Sequence, residues 1–144
     1  MLQIFEFIAA LCAALFAGAA LYVGLVEHPV RMRFETRVAA LQWAPSYKRA
    51  TWMQAPLALL SFLSGVVAWL LGAGPGWLAA AVLIGVVVPF TVIGIMPTNH
   101  ALLASGRDLG SAETRMLLKR WGSLHTVRTT LSVLATVLYI WLLL

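Results

Sequence analysis

The chain has 144 residues, 62% of them hydrophobic and only 10% charged, with a formal net charge of +5 and a mean hydropathy of +0.92. This composition excludes an ordinary soluble domain and points to one integral membrane domain over residues 1–144. The positive balance calls for no nucleic acid, because the basic residues sit in two segments between apolar blocks or at their edges, the pattern of a positive-inside signal.

From Phe7 to Val26 runs a stretch of 20 uncharged residues, about the ~20 needed to cross the hydrocarbon core. Ala17-Gly18-Ala19 resembles a cleavage site, but Met1 to Phe7 holds Glu6 and no Lys or Arg, so a retained helix over about 4–26 is expected rather than a leader. Ala10, Ala14 and Gly18 recur at four-residue spacing with Tyr22 next, a small face suited to close helix packing. The single Cys12 has no partner for an intrachain disulfide.

The segment of about 27–51 carries Arg31, Arg33, Arg37, Lys48 and Arg49. Within it Val30, Phe34, Val38 and Leu41 recur at helical spacing among charges, which predicts a short amphipathic helix lying at the membrane interface between spans 1 and 2. From Ala50 to Gly106 no residue is charged. Gly72-Ala73-Gly74-Pro75-Gly76 breaks that run into a second span of about 52–71 and a third of about 77–96, because Gly and Pro end helices and form turns. Pro89 predicts a bend in the third span.

The segment of about 97–123 carries Arg107, Arg115, Lys119 and Arg120, and Ser111 with Glu113 reads as a helix start. A fourth span of about 124–144 follows. The fold class is therefore all-α, a four-transmembrane-helix bundle, since lone spanning strands would leave backbone groups unpaired in lipid. The Lys/Arg asymmetry places segments 27–51 and 97–123 in the cytoplasm and both termini outside, in the cell (inner) membrane.

All three histidines fall at the basic end of these spans: His28 closes the first, His100 follows the third and His125 opens the fourth. Counting ~20 residues back from Leu144 sets His125 at the inner interface and Arg128 about one turn deeper. Trp121, His125, Arg128 and Ser132 share one helix face, and Asn99 comes to the same level. An ionisable stripe of this kind turns toward a partner or a cavity, although Arg128 snorkelling to phosphates, with Trp121 and His125 as interface anchors, stands beside that reading. Three imidazoles at one depth, His28, His125 and His100, also admit a transition metal, and His28 with His125 admits a haem; their spacing matches no ligand motif.

The stretches Gly24-Leu-Val-Glu-His-Pro-Val-Arg31, Trp43-Ala-Pro-Ser-Tyr-Lys-Arg-Ala-Thr51, Ile95-Met-Pro-Thr-Asn99 and Leu117-Leu-Lys-Arg-Trp-Gly-Ser-Leu-His-Thr-Val-Arg128 resemble the anthrone-oxygenase-like family of small four-helix membrane proteins. The resemblance covers nearly the whole chain, and Trp-x3-His-x2-Arg with Pro-x-Asn is its most specific part. It implies oxidation of hydroxylated tricyclic anthrones by molecular oxygen to anthraquinones, and its motif positions here are His28, Asn99, Trp121, His125 and Arg128. His100 belongs to none of those motifs.

An anthrone carries a doubly benzylic CH2 acidic enough for an imidazole base. His125 is the expected base, Arg128 and Asn99 the expected stabilisers of the enolate oxygen, and Trp121, His28 and Tyr22 the expected walls for the flat rings. The carbanion reacts with oxygen directly in this scheme, so no metal is strictly required, while a haem or metal redox protein and a non-catalytic lipid- or partner-binding protein remain the alternatives. A hydrophobic small molecule and membrane lipid are the expected partners. No phosphate loop, nucleophile elbow or zinc-protease helix is present.

Overall fold

The computed structural model describes residues 1–144. Four helices account for nearly all of them: α1 (Leu2–Arg31), α2 (Thr36–Ala73), α3 (Pro75–Leu103) and α4 (Ala112–Leu143), each long and apolar enough to cross a membrane. Each neighbour in sequence is a neighbour in space, and α4 closes the ring against α1. Every helix outruns its expected span at the same end of the bundle, the end that carries the basic residues.

The predicted interfacial helix is not a separate element. Residues 36–51 are the opening turns of α2, which runs unbroken through Pro45 and Pro56. No glycine or Gly-Pro pair stands in that stretch to stop it, and an apolar stripe looks the same on an independent helix and on the first turns of a long one. Val30, Phe34, Val38 and Leu41 do form an exposed apolar surface.

The turns have local causes. Gly72 and Gly74 adopt positive φ (97° and 92°), which side-chain-bearing residues resist, and Pro75 then opens α3. Ser111 caps α4 as expected, its hydroxyl accepting from the Thr114 amide at 3.1 Å. Two arginines satisfy backbone carbonyls at the turns: Arg115 of α4 donates to those of Phe34 and Met32, and Arg107 in the loop before α4 to that of Ala101.

Three helices widen to i→i−5 hydrogen bonding: α1 over Val23–Glu27 and α3 over Thr91–Ile95 within their length, and α2 over Trp69–Ala73 at its end. Each of the two internal widened turns is followed by one residue and then a proline, Pro29 or Pro97. Proline lacks the amide that would continue the i→i−4 ladder and presses on the carbonyl four back, so inserting a residue into the preceding turn lets the helix continue. Pro89, where a bend is expected, stays inside the helix, and the widened turn of α3 begins two residues later.

The core away from the basic end is built from Ala9, Ala13, Phe16 and Ala20 of α1 against Ala58, Trp77, Ile84 and Tyr139. The small face of α1 is thus rotated from the expected one: Ala10 is buried, but Ala14 is only half-buried and Gly18 exposed. Alanines also recur at 9, 13 and 17, one position away, so small-residue spacing alone does not distinguish the two faces. Gly65 leaves the space that Tyr139 fills, and the Tyr139 hydroxyl donates to the Ser61 carbonyl at 3.3 Å.

Candidate functional site

At the basic end the bundle contains two copies of one short unit, His-x-Val-Arg, at residues 28–31 on α1 and 125–128 on α4. Three residues along a helix bring the side chains to one face. In both units an arginine nitrogen lies 3.3 Å from the histidine Nδ1. Both histidine rings pack on Trp121: His125 stacks at 5.0 Å with an interplanar angle of 12°, and His28 lies tilted at 5.3 Å. The Arg31 guanidinium sits over the same indole at 5.8 Å.

The hydrogen bonds settle the tautomer of His125. Its Nε2 lies 3.0 Å from the Ala20 carbonyl, which can only accept, so Nε2 carries the proton. Nδ1 is then the lone-pair nitrogen that receives the Arg128 N–H. Ala20 supplies that acceptor at the edge of the widened turn of α1, where helical pairing changes register.

The two arginines differ in one respect that decides their chemistry. Arg31 is 3% exposed and fully compensated: it donates to Glu27 at 2.5 Å and also to Gln42 and His28. Glu27 in turn accepts from Gln42 at 2.9 Å and Ser46 at 2.5 Å. Arg128 has no carboxylate within ion-pair distance. Its neighbours are neutral: the Gln54 carbonyl oxygen at 2.6 Å, His125 Nδ1, and the Phe16 ring at 5.5 Å. Arg128 Nε and Gln54 Nε2 are both buried without a partner. A half-buried cation without a counter-charge is held less favourably than a paired one, and an anion or further polar group beside it would offset part of that cost.

A small closed chamber lies here, bounded by Arg31, Trp43, Tyr47, Trp121, His125 and Arg128 among others, with a volume of about 10 Å³, room for roughly one water. Tyr47 and Thr51 form its wall toward an open apolar groove of about 590 Å³ along α2, which also involves Trp52, Ala55, Pro56 and Leu59. Trp43 stacks on Tyr47 at 5.1 Å and meets Trp121 edge-on at 5.9 Å, so aromatic surface is continuous from groove to histidine.

Of the residues expected at the site, His125, Arg128 and Trp121 line this chamber, and His28 joins them through Trp121. Asn99 is fully buried on the face of α3 that also presents Ile95 and Leu102 to the cluster of Trp43 and Trp121. It makes no hydrogen bond to His125 or Arg128, and both atoms of its amide are unpartnered. Tyr22 is 59% exposed on the outer face of α1, a consequence of the rotated small face, and His100 is exposed as well. Neither is brought to the chamber. The donors present do not fit a metal or a bis-histidine haem: no three His, Cys, Asp or Glu side chains come together, and both nitrogens of His125 are engaged.

Sequence reasoning missed Gln42, Ser46 and Gln54. Gln54 did carry a signal, as the only glutamine in the uncharged run of α2 and α3. Trp43 and Tyr47 stood in a quoted motif without a role.

Fold and site together define a four-helix protein of multi-pass membrane architecture with a half-buried arginine, without a carboxylate partner, beside a buried histidine. The family model described as anthrone oxygenase matches residues 43–138, and the chain belongs to that family. Among curated proteins it is similar to anthrone oxygenase tpcL of Aspergillus fumigatus, 39% identical over 70 residues that make up 46% of this chain and 44% of the relative. The chain thus matches less than half of that relative's length. No solved structure matches it.

Proposed function

We propose that the protein oxidises a flat, hydrophobic aromatic ketone of the anthrone type with molecular oxygen, using Arg128 to hold the substrate as its enolate. The uncompensated Arg128 carries this reading, since the enolate oxygen is the anion that this half-buried cation lacks. The family and the name of the fungal relative agree with the substrate class.

The rings enter from the bilayer along the α2 groove, whose lining is mostly apolar. The closed chamber is too small for them, so Tyr47 and Thr51 yield as the polar edge of the ketone reaches Arg128. Arg128 Nη2 then exchanges His125 Nδ1 for the substrate oxygen, and Gln54 Nε2 adds a second donor. Freed of its cationic neighbour, Nδ1 removes a proton from the CH2 group, and the electron pair of that C–H bond delocalises onto the oxygen beside Arg128. Two donors aimed at a developing oxyanion in a water-poor site supply the main catalytic effect. The carbanionic carbon adds oxygen to give a peroxide, which takes a proton. Loss of the second C–H proton and cleavage of the O–O bond release water and leave the quinone, so ketone and oxygen become quinone and water in balance.

In this reading Gln54 takes the oxyanion role expected of Asn99. Segments 27–51 and 97–123 face the cytoplasm, which puts the site at the inner interface of the cell membrane. Oxygen uptake and quinone absorbance with a hydroxylated anthrone and detergent-purified protein test the proposal. His125→Gln is expected to lower turnover by at least about 100-fold, and full activity in that variant overturns it.

A further inference from the structure

Two clefts meet on the seam between α1 and α4. The first, about 370 Å³, has no hydrophobic residue in its lining and includes His28, Lys119, Ser123 and the outer edge of His125. The second, about 280 Å³, runs deeper along Leu21, Leu25, Val133 and Leu134. They share Gly24 and Thr126, so they form one groove that is polar at the basic end of the bundle and apolar below it. The threonines on the seam do not alter that gradient. Thr126, Thr129 and Thr130 all turn their hydroxyls back to their own helix, onto the carbonyls of Gly122, His125 and Thr126, and so present methyl groups outward.

We propose that this groove binds one anionic phospholipid, headgroup phosphate toward Lys119 and acyl chain along Leu21 and Leu134. Charge supports the head end: no carboxylate lies within ion-pair distance of Lys119. Length supports the whole: Lys119 to Leu134 is 15 residues of continuous helix, about 22 Å at 1.5 Å per residue. One leaflet with its headgroup layer is also about 20–22 Å thick, half of the ~40–45 Å bilayer. A tricyclic ketone would fill less than half of such a groove and would leave the cationic end unmatched. At the head of the groove Gly122 leaves the space that the His28 ring fills, since a Cβ there would collide with it.

The test is native mass spectrometry and thermal unfolding of the full chain in neutral detergent, titrated with phosphatidylglycerol or phosphatidylcholine. One phosphatidylglycerol per chain is expected to bind and raise Tm, with an affinity on the order of tenfold above phosphatidylcholine. Lys119→Glu, at an exposed position, is expected to remove that preference. Thr130→Trp, also exposed, is expected to fill the apolar end and weaken both lipids. Equal binding of the two lipids, no effect of either variant, displacement by millimolar inorganic phosphate alone, or displacement by a hydroxylated anthrone each overturns the proposal. None of these readouts depends on the catalytic reading of Arg128.

Discussion

Gln54→Glu puts a carboxylate where Arg128 now meets a neutral amide, with almost no change in shape. The amide oxygen is 2.6 Å from Arg128 Nη2, so the new charge would stand roughly 4 Å from the centre of the guanidinium. At an effective dielectric of about 20, two opposite charges at that distance attract by about 4 kcal/mol. The variant therefore copies onto Arg128 what Glu27 already does for Arg31. An enolate then meets a neutral pair instead of a bare cation and forfeits most of that attraction, less the cost of desolvating the new carboxylate. Each ~1.4 kcal/mol is a factor of ten, so kcat/KM for a hydroxylated anthrone is expected to fall by about 100-fold or more. Thermal stability should hold or rise, which separates this loss from unfolding. Gln54→Leu is the control: it removes the hydrogen bond but leaves the cation uncompensated, and a drop of about tenfold is expected. The reasoning is refuted if Gln54→Glu stays within about threefold of the parent.

Three further outcomes follow from the same geometry. Glu27→Gln strips the only carboxylate from the buried Arg31, and breaking such a pair costs about 3 kcal/mol. Tm in detergent should fall by about 10 °C, and an unchanged Tm would show that the Arg31 network does not support the bundle. Gly65→Ala places a methyl group against the Tyr139 hydroxyl and the Ala81 side chain. Overpacking of this sort costs about 1–3 kcal/mol, so reduced yield and Tm are expected at a position remote from the chamber, with turnover per folded molecule preserved. Asn99→Leu removes two buried unpartnered polar atoms and should keep or raise Tm with turnover retained; loss of turnover without loss of Tm would return Asn99 to the catalytic set.

Much of the fold was legible because lipid imposes lengths. Runs of about twenty uncharged residues, broken by Gly72 to Gly76 and flanked by arginines, leave few arrangements besides four helices. The site was legible in part for the same reason: any His, Arg or Trp at the basic end of these helices must share one layer. What escaped was pairing. His28-Pro-Val-Arg31 and His125-Thr-Val-Arg128 read alike in one dimension, and only packing shows that Glu27, Gln42 and Ser46 neutralise the first while α2 offers the second nothing but an amide. Rotation escaped too, since alanines at 9, 13 and 17 compete with Ala10, Ala14 and Gly18, and choosing the wrong face carried Tyr22 toward the site. The continuity of α2 through Pro45 and Pro56 escaped as well, because an apolar stripe has the same period on a separate interfacial helix and on the first turns of a long one.

Anaerobic mixing with a hydroxylated anthrone examines the central claim without the oxygen step. If Arg128 holds the deprotonated substrate and His125 takes its proton, the long-wavelength absorbance of the enolate should appear with one equivalent bound per chain. It should vanish in Arg128→Leu and in His125→Gln and decay to the quinone when oxygen is admitted. A bound ketone whose spectrum stays that of the neutral form in the parent protein would contradict the account.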